Sequence, residues 1–558
     1  MPDLALWDWS KGWHPEKPLV QLQAGELLEA TNVIYRETGV PEKRRGFQRV
    51  RGSYGVGRVD GLVRYRPASG DPYWVFAWQG GLYALYDNGT VKQITTGLMP
   101  GQDYFFEVWR DKLFIANGAD GLLMWDGESL RNLTTTPPPP PPQPAGFPIA
   151  GTVAEADETS VTDYNHSWAS EGVVPGDRVR ILSGAGAGQE RVIADVDGST
   201  LHLVSGWDTV PEAGDKFEVF VLVKQGSSAP AGGKRVFQHN DRLWIAGTQL
   251  EPDRLFYSRL LDELNWNDPQ TGIDHVIDIS VGDNQPITGI SRRDFLMIFK
   301  EYSIFYLYGY GPEDWQLERI TDELGCIAPR SIASLDGTTI WLSHKGVYMD
   351  DGSTFHRIGG PVDGWIKDNL TPEQQRKAVA VLDGLNYILH FPDTPFGPIC
   401  LVWNGRLENW TLWKLPLTFS VLARRNAYGD EFGWAAASDS QALVWLGDTG
   451  GTDDGQPIEM VLRSAQLDPA GPHREYLLRR AASKLEVADG DTATVQIYSD
   501  GAPVGGPRAV GDGITFLSMK PGQLAKMLSV AIKITGTGIG SKVHGVTFDV
   551  RLRRVRWA

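Results

Sequence analysis

Two carboxylate pairs are the first side chains to consider for chemistry, because facing carboxylates can cleave a glycosidic bond. The pairs are Asp350-Asp351 and Asp453-Asp454, and each stands beside a glycine. Aspartate beside glycine is expected for turn formation alone. The S-x-D-x-G-x-T-W box typical of sialidase blades does not occur in the sequence. Turn residues are therefore the favoured interpretation, although residues far apart in sequence can still meet in space.

Histidine, cysteine and glycine patterns give no stronger signal for chemistry. The ten histidines are scattered without metal-ligand spacing, and His390 lies in an apolar strand, where we expect a hydrogen-bonded core histidine. Cys326 and Cys400 form no CxxC motif, so we expect two buried small hydrophobes. The Gly184–Gly188 run lacks the lysine and the following helix of a phosphate loop, which favours a turn. The sequence predicts no catalytic, cofactor-binding or metal-ligating residue, and no enzyme.

One basic cluster stands at the C-terminus. Arg551, Arg553, Arg554 and Arg556 are separated by Leu552 and Val555, a pattern typical of a strand with one basic face. A DNA contact is one interpretation. A charged, protected edge strand, or a strand that docks an acidic neighbour, is the favoured one. These four arginines are the candidate inter-subunit or neighbour-docking residues.

Composition bounds the class of protein. The 558 residues include 64 Gly, 35 Pro and 20 Trp, a combination typical of short aromatic strands and many turns. A net charge of -16 excludes a protein that wraps DNA phosphates, since that needs clustered Lys and Arg. The acidity suits plain solubility, or a wall along which DNA slides without sticking. The sequence predicts neither a signal peptide nor a membrane-spanning segment.

An aromatic strand, a polar turn, a second strand and an Asn-Gly or Asp-Gly turn recur along the chain. Seven degenerate copies have spacings of about 40 to 50 residues where nothing is inserted, which is the blade period of a β-propeller. The copies begin near Tyr73, Phe105, Val236, Phe295, Thr339, Tyr387 and Gly433. One or two large β-sandwiches are the alternative. The best helix candidate is short, Thr371–Lys377, with Thr as N-cap and Pro at the first helical position.

The repeat is interrupted once and then ends. Six prolines, Pro137 to Pro142, form a semi-rigid spacer that leads into a small β segment. Past about Pro457, longer strands of period two indicate an antiparallel sandwich. The sequence thus predicts an all-β fold, a β-propeller with an inserted small β-barrel domain and a C-terminal β-sandwich. The expected divisions are an N-terminal arm packing on the propeller (1–55), the first propeller blades (56–135), the Pro-rich linker plus inserted domain (136–231), the second set of blades (232–450) and the C-terminal β-sandwich (451–558).

Two stretches resemble a known group of proteins, the propeller proteins of phage tails. In the first, Ala24-Gly25-Glu26, Ala30-Thr31-Asn32-Val33 and Arg44-Arg45-Gly46-Phe47 occur in the order found at the start of many such proteins. In the second, Phe256-Tyr257-Ser258 is followed by a strand ending in Phe299-Lys300 and by Leu342–Tyr348. The resemblance covers about residues 15 to 450, and its motifs are structural.

The resemblance implies a tail hub or nozzle protein of a short-tailed phage. Such proteins form a hexameric ring below the portal and adaptor, with double-stranded DNA passing down the axis without sequence-specific binding. The implied partners are further copies of the chain, tail adaptor or portal-side proteins and, for a ring that carries them, tail fibres. The implied location is the virion tail, assembled in the host cytoplasm, with no cofactor. The alternative function is a carbohydrate-binding or depolymerase propeller acting on the host surface.

Overall fold

Strands make up nearly all of the regular structure of the protein. The computed structural model describes residues 4–18, 21–50, 52–134, 148–173, 175, 177–220, 229–266, 275–279, 285–425, 434–441, 444–468, 475–518 and 524–552. Within these residues the helices are Asp363–Asn369, Pro372–Arg376 and a 3-10 turn at Pro329–Ser331. The proline run falls outside the described residues.

The described residues form seven four-stranded antiparallel units, numbered here as blades 1 to 7 in chain order. Blades 1 and 2 consist of Val59–Tyr65, Tyr73–Trp78, Gly81–Leu85, Val91–Thr95 and of Phe105–Trp109, Lys112–Ala116, Leu123–Trp125, Leu130–Asn132. Blades 3 and 4 consist of Arg235–His239, Arg242–Ala246, Arg254–Tyr257, Val276–Asp278 and of Gly289–Arg292, Leu296–Phe299, Ile304–Tyr308, Gln316–Thr321. Blades 5 and 6 consist of Ala333–Leu335, Thr338–Ser343, Gly346–Asp350, Phe355–Arg357 and of Val379–Asp383, Asn386–Phe391, Ile399–Asn404, Asn409–Lys414. Blade 7 consists of Phe419–Arg424, Trp434–Ser438, Val444–Gly450 and the N-terminal strand Gly46–Arg49.

The blades close into a ring because each one buries its faces against its two neighbours. Between blades 1 and 2, the Trp125 indole N–H donates a hydrogen bond of 2.8 Å to the Tyr73 hydroxyl. Similar apolar clusters join every later pair of blades. The last cluster packs Phe76 of blade 1 with Ala435 of blade 7, which completes the circle. The predicted propeller is confirmed, and the alternative of large sandwiches alone is wrong.

The N-terminal segment does more than the expected arm packed on the propeller. Gly46–Arg49 is the outer strand of blade 7 and pairs with Val444–Gly450, so the two ends of the propeller chain meet in one blade. Phe47 is fully buried, and its ring contacts the rings of Phe419, Trp434 and Trp445. The repeat pattern could not predict this strand, because the strand lies far from its blade in sequence.

A buried polar joint links this strand to blade 6 and to the C-terminal strands. The Arg44 guanidinium donates two hydrogen bonds to the Asp453 carboxylate, at 2.7 and 2.5 Å. Its Nε donates to the Asn32 side-chain oxygen at 2.9 Å, and Asn32 in turn donates to the Glu459 carbonyl at 2.8 Å. Gly46 must lack a side chain, since a Cβ there would lie 1.8 Å from the Thr452 carbonyl oxygen.

The inserted domain has a core of its own. Its strands form one seven-stranded sheet. They are Ile149–Thr152, Glu155–Asp157, Ser160–Thr162, Arg178–Ile181, Glu190–Asp197, Thr200–Leu203 and Lys216–Phe220. Trp168 and Phe217 lie fully buried in this core. The chain returns beside its departure point, where the Ala229 N–H donates to the Leu133 carbonyl at 2.9 Å.

The C-terminal sandwich is built jointly with the N-terminal segment. One sheet contains Leu4–Leu6, Val33–Glu37, Val40–Lys43, Tyr476–Glu486, Gly513–Ser518, Leu524–Ala525 and Lys542–Leu552. The other contains Gly12–Trp13, Glu26–Thr31, Thr452–Asp453, Gln456–Ser464, Asp491–Ser499, Ala502–Pro503, Arg508–Val510 and Leu528–Gly536. A fully buried ion pair of 2.5 Å joins Lys43 to Asp491 inside it. The two ends of the chain therefore share one folding unit.

Three smaller predictions are confirmed. The Pro372–Arg376 helix begins with the Thr371 N-cap, whose hydroxyl accepts from the Gln374 N–H. Cys326 and Cys400 are both free and buried. His390 is fully buried, its Nδ1–H donates to the Ile399 carbonyl at 2.9 Å, and its Nε2 accepts from the Phe419 N–H at 3.1 Å. Both ring nitrogens are used: Nδ1 bonds within blade 6, and Nε2 holds blade 6 to blade 7.

Removing the Arg44 side chain should destabilise the whole molecule. Arg44→Met leaves the Asp453 carboxylate buried without its partner, and breaking such a pair costs about 3 to 5 kcal/mol. Arg49→Met is the matched control, because Arg49 on the adjacent strand forms a half-exposed pair with Asp454, for which we expect a loss of about 1 kcal/mol or less. Urea unfolding measures both, and equal losses for the two variants would contradict the role given to the joint.

The stability of the protein should fall as the pH drops from about 6.5 to about 4. Burial lowers the pKa of His390 to about 4, so in this window the unfolded chain takes up a proton that the folded chain refuses. The loss from one such group approaches about 3 kcal/mol at the acid end. Across this range the free energy of unfolding should depend less steeply on pH in His390→Gln, whose side chain keeps one hydrogen-bond donor and one acceptor.

The control for this measurement is the exposed His202, which forms no ion pair with a described residue, so His202→Gln should change the pH dependence less than His390→Gln does. The free energy of unfolding still depends on pH in either variant, because burial also lowers the pKa of His239 to about 4. An identical slope in wild type and His390→Gln would refute the assignment.

Candidate functional site

The predicted docking residues lie on the outer face of the first sandwich sheet, as far as the structure describes them. Arg551 is exposed in Lys542–Leu552, opposite Leu477, whereas Arg553, Arg554 and Arg556 lie outside the described residues. We use the name C-terminal face for the outward side of this sheet, whose apolar and basic side chains include Trp7, Arg480, Lys484, Ile514, Phe516 and Arg551, with Asp549 opposite Arg480.

Large apolar side chains are exposed on the C-terminal face. Phe516 is 74% exposed, Ile514 61% and Trp7 51%. The Trp7 ring covers Gly545, where a Cβ would lie 2.1 Å from a ring carbon. Arg480 and Lys484 stand beside them without an ion pair to any residue that the structure describes. The sequence indicated the basic part of this surface and missed its apolar part, because alternation alone does not tell which face of a strand is covered.

The second candidate site is a cavity on the propeller axis. Its narrow part has a volume of 320 Å³ and is lined by the inner strands of the blades, with Leu62, Val236, Ile290 and Leu422 among its apolar side chains. A wider part of 830 Å³ opens where these strands begin. This mouth is lined by six basic side chains, Arg58, Lys234, Arg235, Arg330, Arg376 and Lys377, and by three acidic ones, Asp103, Asp393 and Asp439.

Phe105 organises the mouth of the cavity. The Arg235 guanidinium carbon lies 4.2 Å from the centre of the Phe105 ring, and that of Arg330 lies 5.6 Å from it. Arg330 also donates to the Ser420 and Asp60 carbonyls and pairs with Asp103 at 3.2 Å. Burial raises the pKa of Asp60, and it lowers the pKa of Arg235 to about 10, which still leaves Arg235 charged at neutral pH.

Sequence analysis did not predict the basic mouth, although a signal for it exists. Arg58, Arg235 and Lys377 each stand within two residues of the first position of an inner strand. The inner strands of a propeller run in the same direction around the axis, so basic residues at equivalent positions gather at one end. The signal was not recognised because the three residues are far apart in the chain.

The two carboxylate pairs have structural surroundings. Asp351 accepts hydrogen bonds from the Ser353 and Thr354 N–H groups, and these bonds hold its pKa far below the usual range. Asp454 has a positive φ of 50° in its turn. The turn interpretation was wrong for Asp453, which is buried and pairs with Arg44. In the parts of the chain that the structure describes, no group of three His, Cys, Asp or Glu side chains could hold a metal ion.

Comparisons with known proteins add the following findings. No protein-family model matches the chain, and no curated protein matches it in sequence. The BBS1 N-terminal domain, solved in complex with ARL6DN and soaked with mercury, is 9% identical over 73% of this chain and 99% of its own, with a TM-score of 0.34. The Nup159 N-terminal domain is 8% identical over 75% of this chain and 98% of its own, with a TM-score of 0.33. At these values the likeness carries no argument, and the propeller assignment rests on strand pairing. Among the described residues, no helix is both long and apolar enough to cross a membrane.

Proposed function

We propose that this chain is a structural subunit of a phage tail ring, which docks its neighbours through the C-terminal face. The observation that carries the proposal is the exposed combination of Trp7, Ile514 and Phe516 with the cations Arg480, Lys484 and Arg551. Aromatic and arginine side chains are enriched at the centres of protein interfaces, where they supply most of the binding energy. The virion location and the tail partners are part of this proposal and come from the resemblance of the sequence.

The backbone of the C-terminal face favours a docking role as well. Gly513–Ser518 is the end strand of its sheet, so one row of its backbone groups is open to pairing. Edge strands in proteins that work alone are commonly protected by charge or proline, since an open edge pairs with other chains. Here the outward side chains of the edge strand itself are the apolar Ile514 and Phe516. The Arg508 side chain donates to the Ser518 carbonyl at the end of this strand, and the exposed apolar side chains along the rest of it suit a protein that works in an assembly.

The axial cavity of the propeller does not suit the passage of DNA. Its narrow part of 320 Å³ has the size of a small-molecule pocket, whereas a duplex is so much wider that its major groove alone, about 12 Å across, admits an α-helix. In the proposed ring the DNA path therefore runs between copies of the chain. A net charge of -16 per copy suits the walls of such a path, because each cation held against phosphate would slow sliding.

Oligomerisation tests the docking role. The double variant Ile514→Asp/Phe516→Asp places charge on the apolar part of the C-terminal face and should weaken assembly by about 2 kcal/mol or more per contact. We expect closed rings of the wild-type protein in negative-stain images and a smaller mass for the variant by light scattering.

Leu250→Asp is the matched control, since Leu250 is 94% exposed on a propeller loop away from this face. A wild-type chain that stays monomeric at its highest soluble concentration would contradict the proposal, and so would a double variant that assembles like the wild type.

DNA and glycan assays separate the proposed function from a depolymerase. Titration with duplex DNA at low salt should show weak binding with little salt dependence, because few phosphates are neutralised. A reducing-sugar assay on capsule and lipopolysaccharide should detect no release. Sub-micromolar binding that depends strongly on salt would defeat the argument about the channel wall, and released sugar would support the depolymerase instead.

A further inference from the structure

The Arg235 side chain lies on the propeller axis without a direct anionic partner among the described residues. It stacks on Phe105 and lines both parts of the axial cavity. Its Nε is buried and has no hydrogen-bond partner, and its guanidinium forms no ion pair with any described residue. Arg235 as a residue is partly buried, and a guanidinium that has lost part of its water is normally matched by a carboxylate or by several acceptors, since desolvation is costly.

The nearest carboxylates are occupied by other arginines. Asp103 pairs with Arg58 at 2.6 Å and with Arg330 at 3.2 Å. Asp439 lies 3.6 Å from Arg58, which also lies 3.5 Å from Asp60. These three carboxylates have the same total charge as Arg58, Arg235 and Arg330 together, but each of them is paired with Arg58 or Arg330, and the Arg235 fork has no direct anionic partner among the described residues.

The immediate surroundings hold the Arg235 group in place. The Phe105 ring fixes its plane, and Arg330 beside the same ring is tied to the Ser420 carbonyl at 2.9 Å. Arg235 starts the inner strand of blade 3, so its backbone is part of the rigid ring. A charged fork that is fixed before the ligand arrives loses little conformational entropy on binding.

We propose that the mouth of the axial cavity is a binding site for the oxyanion group of a small molecule, with Arg235 as its principal ligand. The guanidinium fork matches the paired oxygens of a phosphate or a carboxylate. The mouth, at 830 Å³, has the volume of a typical small-molecule site, and a duplex or a folded partner could not enter it. Lys234 lines the same mouth and adds a second cation with no ion pair to a described residue.

The test is a thermal-unfolding titration of the full chain with two probes, inorganic phosphate and glucuronate. A ligand that binds the folded state raises the unfolding temperature in a saturable way. Sodium chloride at matched ionic strength corrects for screening. We expect at least one probe to give a saturable shift, and the stronger probe shows whether the natural group is a phosphate or a sugar carboxylate.

Arg235→Gln removes the charge and should lower the affinity for the stronger-binding probe about tenfold or more, since hydrogen bonds to a charged group are stronger than neutral ones. Arg319→Gln, which breaks an exposed pair with Asp322 on the outside of blade 4, should bind like the wild type. If Arg235→Gln does not fold, Arg235→Lys keeps the charge without the fork and should still weaken binding.

Two results would overturn the site. One is a wild-type protein in which neither probe shifts unfolding beyond chloride. The other is a folded Arg235 variant that keeps the wild-type affinity. Neither result bears on ring formation, so a failure of this site leaves the docking role to its own test.

Discussion

The buried ion pair between Arg44 and Asp453 is the constraint on which the arrangement of the domains depends. A guanidinium and a carboxylate taken out of water must find one another and satisfy their remaining hydrogen-bonding groups, or the fold loses several kcal/mol. Arg44 meets that demand with Asp453, Asn32 and the Lys414 carbonyl, which belong to three separate stretches of chain. Blade 6, blade 7 and the sandwich can satisfy it only in one relative position. The neighbouring pair of Lys43 and Asp491 repeats the arrangement one residue away, inside the sandwich.

Ring closure gives the propeller its cooperativity. No blade can bury both of its faces alone, so each depends on the next, and the circle is completed by a strand from the other end of the chain. The loss of Gly46–Arg49 would expose blade 7 and the Phe47 pocket together. The sandwich adds a second closure, because Leu4–Leu6 pairs with Lys542–Leu552. The first and last described strands are thus fastened to each other, and the outer face of the sandwich stays available for contacts with other molecules.

Local sequence patterns predicted the fold class. The closing strand of the propeller and the candidate sites depend on contacts between residues that are far apart in the sequence. Aromatic strands between Asn-Gly and Asp-Gly turns predicted the blades, and Thr371-Pro372 predicted the start of a helix, because these signals act within a few residues. The outer strand of blade 7 and the partner of Arg44 lie about 400 residues away in sequence, where no local signal reaches. The axial cluster around Arg235 was missed for the same reason. Of the predicted docking set, Arg551 lies on an exposed sheet face, and the apolar residues beside it became visible only once the strands were paired.

The inserted domain leaves and rejoins the propeller at one point, where Ala229 bonds to Leu133. Closing a flexible loop costs entropy that rises with its length, and a folded unit with adjacent ends acts as a much shorter loop. If the insertion folds first, it draws blades 2 and 3 together and speeds the step that joins the two halves of the ring. A pulling load applied to the insertion would reach the propeller at this one seam, between Leu133 and Ala229, and leave the closing strand of blade 7 unloaded. The propeller therefore constrains only the distance between the two ends of the inserted domain, and not the size of what lies between them.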